Sequence, residues 1–218
     1  YYIEFLQKTG VIEQGNEAQA RWAPGLFNRT LLQAPANVRY LLSNRPELYQ
    51  AGMGYDSLTT IEGIKVFRNR FALPFGFTYN KCIAESKWQM LPALAKDKAM
   101  LNALVVADEQ LPPAIQQYVQ TDTSANFSFA AFQALTDSLR KDSLRLDSQT
   151  PNTFQGSIRL DCKKLLFFSI PYDSGWQAKV DGKEVPLMRG NIGFMYLPID
   201  AGQHQVNLIY QSPLLKTG

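Results

Sequence analysis

The stretch Trp176-Gln177-Ala178-Lys179-Val180-Asp181-Gly182-Lys183 decides the fold class. Trp176, Ala178 and Val180 fall on one side of an extended chain, and Gln177, Lys179 and Asp181 on the other. That two-residue period belongs to a strand with one buried face. Asp181-Gly182 then supplies the two positive-φ residues that a type I′ hairpin turn requires. Working outward, the same period predicts strands at 143–148, 153–161, 164–172, 183–188, 193–199 and 204–210. Turns are expected at Asp173-Ser174-Gly175, Arg189-Gly190-Asn191 and Ala201-Gly202. Short strands in tight succession predict an antiparallel β-sandwich, jelly-roll-like, over residues 142–218.

Upstream of residue 142 the period lengthens. Phe129, Phe132, Leu135 and Leu139 recur at three- to four-residue spacing, which predicts a helix over 127–141 with Arg140 and Lys141 at its dipole-favoured end. Helices are also expected at 2–9, with Gly10 as its C′ residue, and at 26–33, 85–90 and 92–104. Residues 104–107 read alternatively as a strand. Asn37–Ser43 and Gly63–Asn69 read as a strand pair, and Leu73–Tyr79 as an extended aromatic segment. The whole is therefore expected to be α+β. A small mixed α/β part over 1–141 packs on a C-terminal sandwich over 142–218, as one unit, since no Gly/Ser linker separates them.

Composition narrows the chemistry. The chain has 218 residues, 22 Lys+Arg against 19 Asp+Glu, and one histidine. A net charge of +3 lacks the excess of a nucleic-acid binder. A single His204 cannot build a multi-histidine zinc site. Cys82 and Cys162 stand far apart without a CxxC, so they read as a disulfide in an oxidising compartment or as two buried small side chains, the second being favoured. No metal, no cofactor and no catalytic residue is expected. The charge-free run Thr123–Thr136 has 14 residues, short of the roughly 20 that a membrane helix needs. Gly52-Met53-Gly54 lacks the third glycine of a dinucleotide loop, and Ser57 stands in its place. Lys65, Arg68 and Arg70 form a basic cluster by the small strand pair, a solvated face or a contact for anionic lipid or polymer. Asn28-Arg29-Thr30 and Asn126-Phe127-Ser128 match the short glycosylation sequon.

Thirteen Phe, ten Tyr and three Trp offer faces that stack on sugar rings or fill a core. Tyr172, Trp176, Asn191 and Tyr196 form a candidate carbohydrate platform, with Asp173 beside Trp176 as a polar partner. Packing in the sandwich core is the competing reading of the aromatics.

One succession of residues carries a family likeness. Phe167-Phe168-Ser169-Ile170-Pro171-Tyr172-Asp173-Ser174-Gly175-Trp176 leads to Val180-Asp181-Gly182-Lys183. Leu197-Pro198-Ile199-Asp200-Ala201-Gly202-Gln203-His204 and Tyr210-Gln211-Ser212-Pro213 follow. This run resembles the segment before the last membrane helix in the YfhO family of bacterial membrane proteins. Asn37–Ser43 with Gly63–Asn69, and Leu73-Pro74 with Phe77-Thr78-Tyr79, are similar to that family's middle region. The resemblance implies a multi-spanning protein of the GT-C type, using polyprenyl-phosphate sugars at the outer face of the cytoplasmic membrane. This chain would be its extracytoplasmic accessory domain. Its partners would be transmembrane segments absent from this chain, reached through Lys216-Thr217-Gly218, and a lipid-linked sugar or cell-surface polymer. A carbohydrate-binding module and a structural cap on the membrane part are the alternatives.

Overall fold

The computed structural model describes residues 1–13, 15, 26, 29–45, 54–118 and 128–213. Gly52, Met53, both sequon asparagines, Phe127 and Lys216-Thr217-Gly218 lie outside them. Gly54, which is described, has φ +87° and sits against the Phe71 ring, where a Cβ would not fit. Its glycine answers to packing.

The first helix, α1 (Tyr2–Lys8), ends as its sequence predicts. Val11 N–H donates to Leu6 O at 2.8 Å and Gly10 N–H to Gln7 O at 3.0 Å, with Gly10 at φ +72°. This is the double closure of a Schellman motif. Thr30–Gln33 forms α2, shorter than the helix expected over 26–33. Glu85–Gln89 (α3), Ala93–Asn102 (α4) and Phe129–Lys141 (α5) follow the sequence reading. In α5 the Ser128 hydroxyl caps the N-terminus by accepting from Ala131 N–H, and Phe132 and Thr136 are buried.

Among the described residues three sheets accompany the helices. The smallest joins β1 (Tyr40–Ser43), β2 (Tyr55–Ile61) and β3 (Ile64–Asn69) in the order β1-β3-β2, all antiparallel. The pairing of β1 with β3 is as expected. Strand β2 has no counterpart in the sequence reading, because only its first residue is buried. An edge strand facing water shows no hydrophobic alternation.

The central sheet has seven strands in the order β4-β10-β14-β13-β6-β5-β7. They are β4 (Gly76–Tyr79), β5 (Lys81–Ala84), β6 (Leu104–Val106), β7 (Gln116–Gln117), β10 (Lys164–Pro171), β13 (Met188–Gly190) and β14 (Phe194–Ile199). Three C-terminal strands are thus inserted between β4 and β6. The change of period at 141/142 separates patterns in sequence, whereas this sheet runs across it in space.

The third sheet, β12-β11-β15-β9-β8, is antiparallel throughout. It comprises β8 (Arg145–Thr150), β9 (Thr153–Leu160), β11 (Trp176–Val180), β12 (Lys183–Val185) and β15 (Gly202–Tyr210). Asp181 and Gly182 form the turn between β11 and β12 with φ +52° and +80°. The strand expected over 183–188 is broken at Pro186. Its first half pairs in this sheet, and β13 belongs to the central one.

Side-chain parity shows how the layers stack. Along β10, Leu165 and Phe167 join the core shared with the helices, while Leu166 and Phe168 join the core between the two large sheets. On β14, Phe194 and Tyr196 go to the helix side, and Met195 and Leu197 to the sheet side. A strand buried on both faces reads as a continuous apolar run, as Leu165-Leu166-Phe167-Phe168 does. The fold is α+β: helices, central sheet, then a second sheet closing the sandwich in the C-terminal part. Cys82 is buried and Cys162 exposed, and both are free. The reading as two buried side chains therefore holds for Cys82 alone.

Candidate functional site

The turn Asp173–Gly175 sits where the chain leaves the central sheet for the second one. Asp173 Oδ1 accepts from Gly175 N–H at 2.8 Å, and Trp176 N–H donates to Asp173 O at 3.2 Å. This Asx turn occupies the Asp173 carboxylate with local backbone. Tyr172 and Trp176 flank the turn, both half-buried against the inter-sheet core.

Trp176 opens β11 and stacks within an aromatic row. Its ring lies 5.1 Å from Tyr210 and 5.8 Å from Phe154, centroid to centroid, and Phe154 in turn stacks on Phe75 at 4.4 Å. Core packing therefore accounts for one side of the indole. Trp176 also lines a shallow recess of about 350 Å³, together with Gln177, Ala178, Glu184, Val185, Pro186 and Leu187. The β11–β12 hairpin and the Pro186 crossover build the walls. An aromatic and aliphatic floor with an amide and a carboxylate at the rim can take one apolar face of a sugar ring and hydrogen-bond its hydroxyls.

Two of the expected platform residues do not reach this surface. Tyr196 is 0% exposed and Asn191 is 2% exposed, so neither can meet a ligand there. Tyr196 points into the helix-side core, across the central sheet from Trp176. Strand parity overrides the simple grouping of aromatics. Asn191 is held at φ +45° and bonds backbone instead. Arg189-Gly190-Asn191 is also not a turn as expected: Gly190 ends β13, and the turn lies at 191–193. Gly190 is required by packing, since a Cβ would lie 2.7 Å from Tyr196 Cδ1 and 3.0 Å from Leu104 Cδ1. Tyr172 is packed edge-on against Tyr1 at 5.3 Å, and the Arg189 guanidinium covers the other ring, 5.2 Å from the Tyr1 centroid. Of the residues lining this recess the sequence reading names Trp176 and omits Gln177, Glu184 and Leu187. Their signal was adjacency to the Asp-Gly hairpin.

A second recess, about 450 Å³, is lined by Glu4, Gln7, Lys8, Gln89 and Lys96. Glu4 and Lys8 are already paired in a chain, while Lys96 reaches Lys8 O at 3.5 Å and lies over the Trp88 ring, 5.0 Å from its centroid. Arg189 meets Glu4 at 2.9 Å, Glu4 meets Lys8 at 2.8 Å, and Lys8 meets Glu85 at 2.5 Å. Mutual satisfaction leaves this cluster a structural latch between α1, α3 and β13.

His204, the one histidine of the chain, is the one imidazole that could act as a triad base. Its Nδ1 lies 2.7 Å from Asp181 Oδ2 and its Nε2 lies 3.2 Å from Asp200 O. Both nitrogens face acceptors, and the hydrogen bond to Asp181 raises its pKa above the ordinary value. With both ring nitrogens turned to these acceptors, neither is placed to take a proton from a nucleophile. Among the described residues no group of three or more metal-ligating side chains occurs.

Residues 123–218 match the family model described as bacterial membrane protein YfhO, and that segment contains every lining residue of the Trp176 recess. The chain is 29% identical over 119 residues to the uncharacterized protein YfhO of Bacillus subtilis (strain 168). That alignment spans 52% of this chain and only 14% of the relative's length. No solved structure matches the chain.

Proposed function

Because the chain belongs to the YfhO family of bacterial membrane proteins, we propose that it is the extracytoplasmic accessory domain of a membrane-embedded, GT-C-like glycosyltransferase. In this reading the parent modifies cell-surface polymers with sugars from polyprenyl phosphate, and this domain orients acceptor or donor without doing the chemistry. It acts at the outer face of the cytoplasmic membrane.

The single observation that carries the reading is the match over 123–218 to a membrane-protein family, in a chain that covers 14% of its relative. One feature of the structure supports it: the matched segment carries an aromatic recess with a polar rim at one edge of the second sheet, a shape suited to a saccharide.

The test uses the whole membrane protein in vesicles with a polyprenyl-phosphate sugar and a surface-polymer acceptor. Trp176→Phe, which keeps the aromatic row, and Glu184→Gln, at the rim, should each lower sugar transfer while protein level holds. Transfer by the 218-residue chain alone would overturn the accessory role. Transfer unchanged in both variants would remove the recess from it.

A further inference from the structure

The three-stranded sheet has two unlike faces. Leu41 lies opposite Phe67 and Tyr55 opposite Asn69, and Leu41, Tyr55 and Phe67 form a small core of their own. On the other face Tyr40 lies opposite Arg68, Leu42 opposite Val66, and Ile61 opposite Ile64. Leu42 is 69% exposed, Ile61 61% and Tyr40 59%, and Ile64 is exposed too. Four large apolar side chains on one face of one small sheet exceed the scatter of single exposed hydrophobics on a soluble surface.

Charge identifies what covers this face. Segments 37–45 and 55–70 hold Arg39, Arg45, Lys65, Arg68 and Arg70 against only Asp56 and Glu62. That excess of three equals the formal net charge of the whole chain, +3, so the remaining residues sum to neutrality. Of those cations, Arg68 shares the outward face with Tyr40, while Lys65 lies over the Phe67 ring on the other; a second copy docking face to face would bring Arg68 against its counterpart and be repelled. An anionic partner with an apolar layer is required. Arg68 and Arg70 stand at the end of the sheet away from the Glu62-Gly63 turn, held by Asp56 at 3.1 and 2.5 Å. Leu42, Val66, Ile61 and Ile64 occupy the half towards the turn. Apolar side chains beside long cationic ones match the boundary between lipid headgroups and acyl chains. Membership of a membrane-protein family puts such a surface within reach.

We propose that the outward face of this three-stranded sheet rests on the surface of an anionic lipid bilayer. Apolar side chains enter the headgroup–acyl boundary, and the arginines meet lipid phosphates. This contact lies outside the family-matched segment and does not rest on the glycosyltransferase reading.

The test is co-sedimentation of the purified 218-residue chain with vesicles of phosphatidylglycerol and phosphatidylcholine, and with phosphatidylcholine alone. Binding to the anionic vesicles is expected, weakened by salt. The exposed pair Leu42→Ser with Ile64→Ser should lower affinity by about tenfold or more, and Arg68→Gln by on the order of fivefold, with thermal melting unchanged. Binding to neither vesicle overturns the proposal, as does binding that the serine pair leaves intact. A concentration-dependent dimer abolished by the same serines would overturn it in favour of a second copy. Retained vesicle binding with no sugar transfer by the parent would leave this contact standing while the proposed function fails.

Discussion

Asn191 and Val105 are joined twice. The Asn191 side-chain oxygen accepts from Val105 N–H at 2.9 Å, and Asn191 N–H donates to the Val105 carbonyl at 2.8 Å. The Asn191 amide also donates to the Tyr79 hydroxyl at 3.3 Å, and that hydroxyl donates to Met100 O at 2.8 Å. A residue in the left-handed region thus continues the ladder between β13 and β6 through its side chain. This seam holds the C-terminal strands in the N-terminal half of the central sheet.

Asn191→Ala is therefore expected to destabilise the fold. It strands a buried N–H at Val105 and places alanine at φ +45°. The combined cost is about 2–4 kcal/mol. Urea denaturation should show a lower midpoint with unchanged slope. Sugar binding lost at full stability would instead restore Asn191 as a ligand-contacting residue.

Tyr196 gives the opposite expectation. Its hydroxyl is the one buried side-chain polar atom among the described residues with no hydrogen-bond partner. Burial pushes its phenol up to about 12. Tyr196→Phe removes an unsatisfied group and keeps the ring. Stability should hold or rise by about 1 kcal/mol, seen as an equal or higher melting temperature. A clear fall would mean that the hydroxyl is satisfied in solution.

These two residues show what a linear pattern could and could not reveal. Trp176, Asp181 and Gly182 were legible because their signals are local: alternation, then a turn with a fixed backbone requirement. Helix α5 was legible for the same reason. Tyr196 and Asn191 were misplaced because burial on both faces of β14 erases the alternation that would show which way Tyr196 points. The Asn191 partner is 86 residues away in sequence. Strand β2 was invisible because it is stabilised by backbone pairing to β3 and almost no burial. The exposed face of that sheet was only half read, as a basic cluster, since its apolar half needs β1, β2 and β3 assembled.

The His204–Asp181 pair predicts a pH dependence. The Asp181 carboxylate, foremost among the causes, holds His204 above its ordinary 6.5. A raised pKa in the folded state contributes stability that is fully present below 6.5 and lost as pH rises through the folded value. Asp181 is held below its ordinary 3.8, first by the Gln205 N–H and then by His204. Its share is present above 3.8 and fades as pH falls through the folded value. The pair is surface-placed, so the effect is small. The denaturation midpoint should fall modestly from mildly acidic to alkaline pH. His204→Gln should flatten that slope, and an unchanged slope would assign it to other groups.

Two glycines of the same hairpin region should fail for different reasons. At Gly182, φ is +80° and a Cβ would meet nothing within 4 Å, so Gly182→Ala suffers only the backbone penalty, about 1–2 kcal/mol. Gly182→Asn should recover much of it, since asparagine tolerates that conformation. At Gly175 a Cβ would lie 2.6 Å from Gln211 O and 2.6 Å from Tyr210 Cε2. Gln211 N–H also donates to Gly175 O at 2.9 Å, so the two chains cannot part without losing that bond. Gly175→Ala should cost about 1–3 kcal/mol and push Tyr210 off Trp176, changing the near-ultraviolet dichroism of the aromatic row. Gly175→Asn should be worse than alanine, reversing the order found at 182. The same rank order at both sites would mean that the close approach of residues 175 and 210–211 relaxes freely, and that the Trp176 recess is not held by this contact.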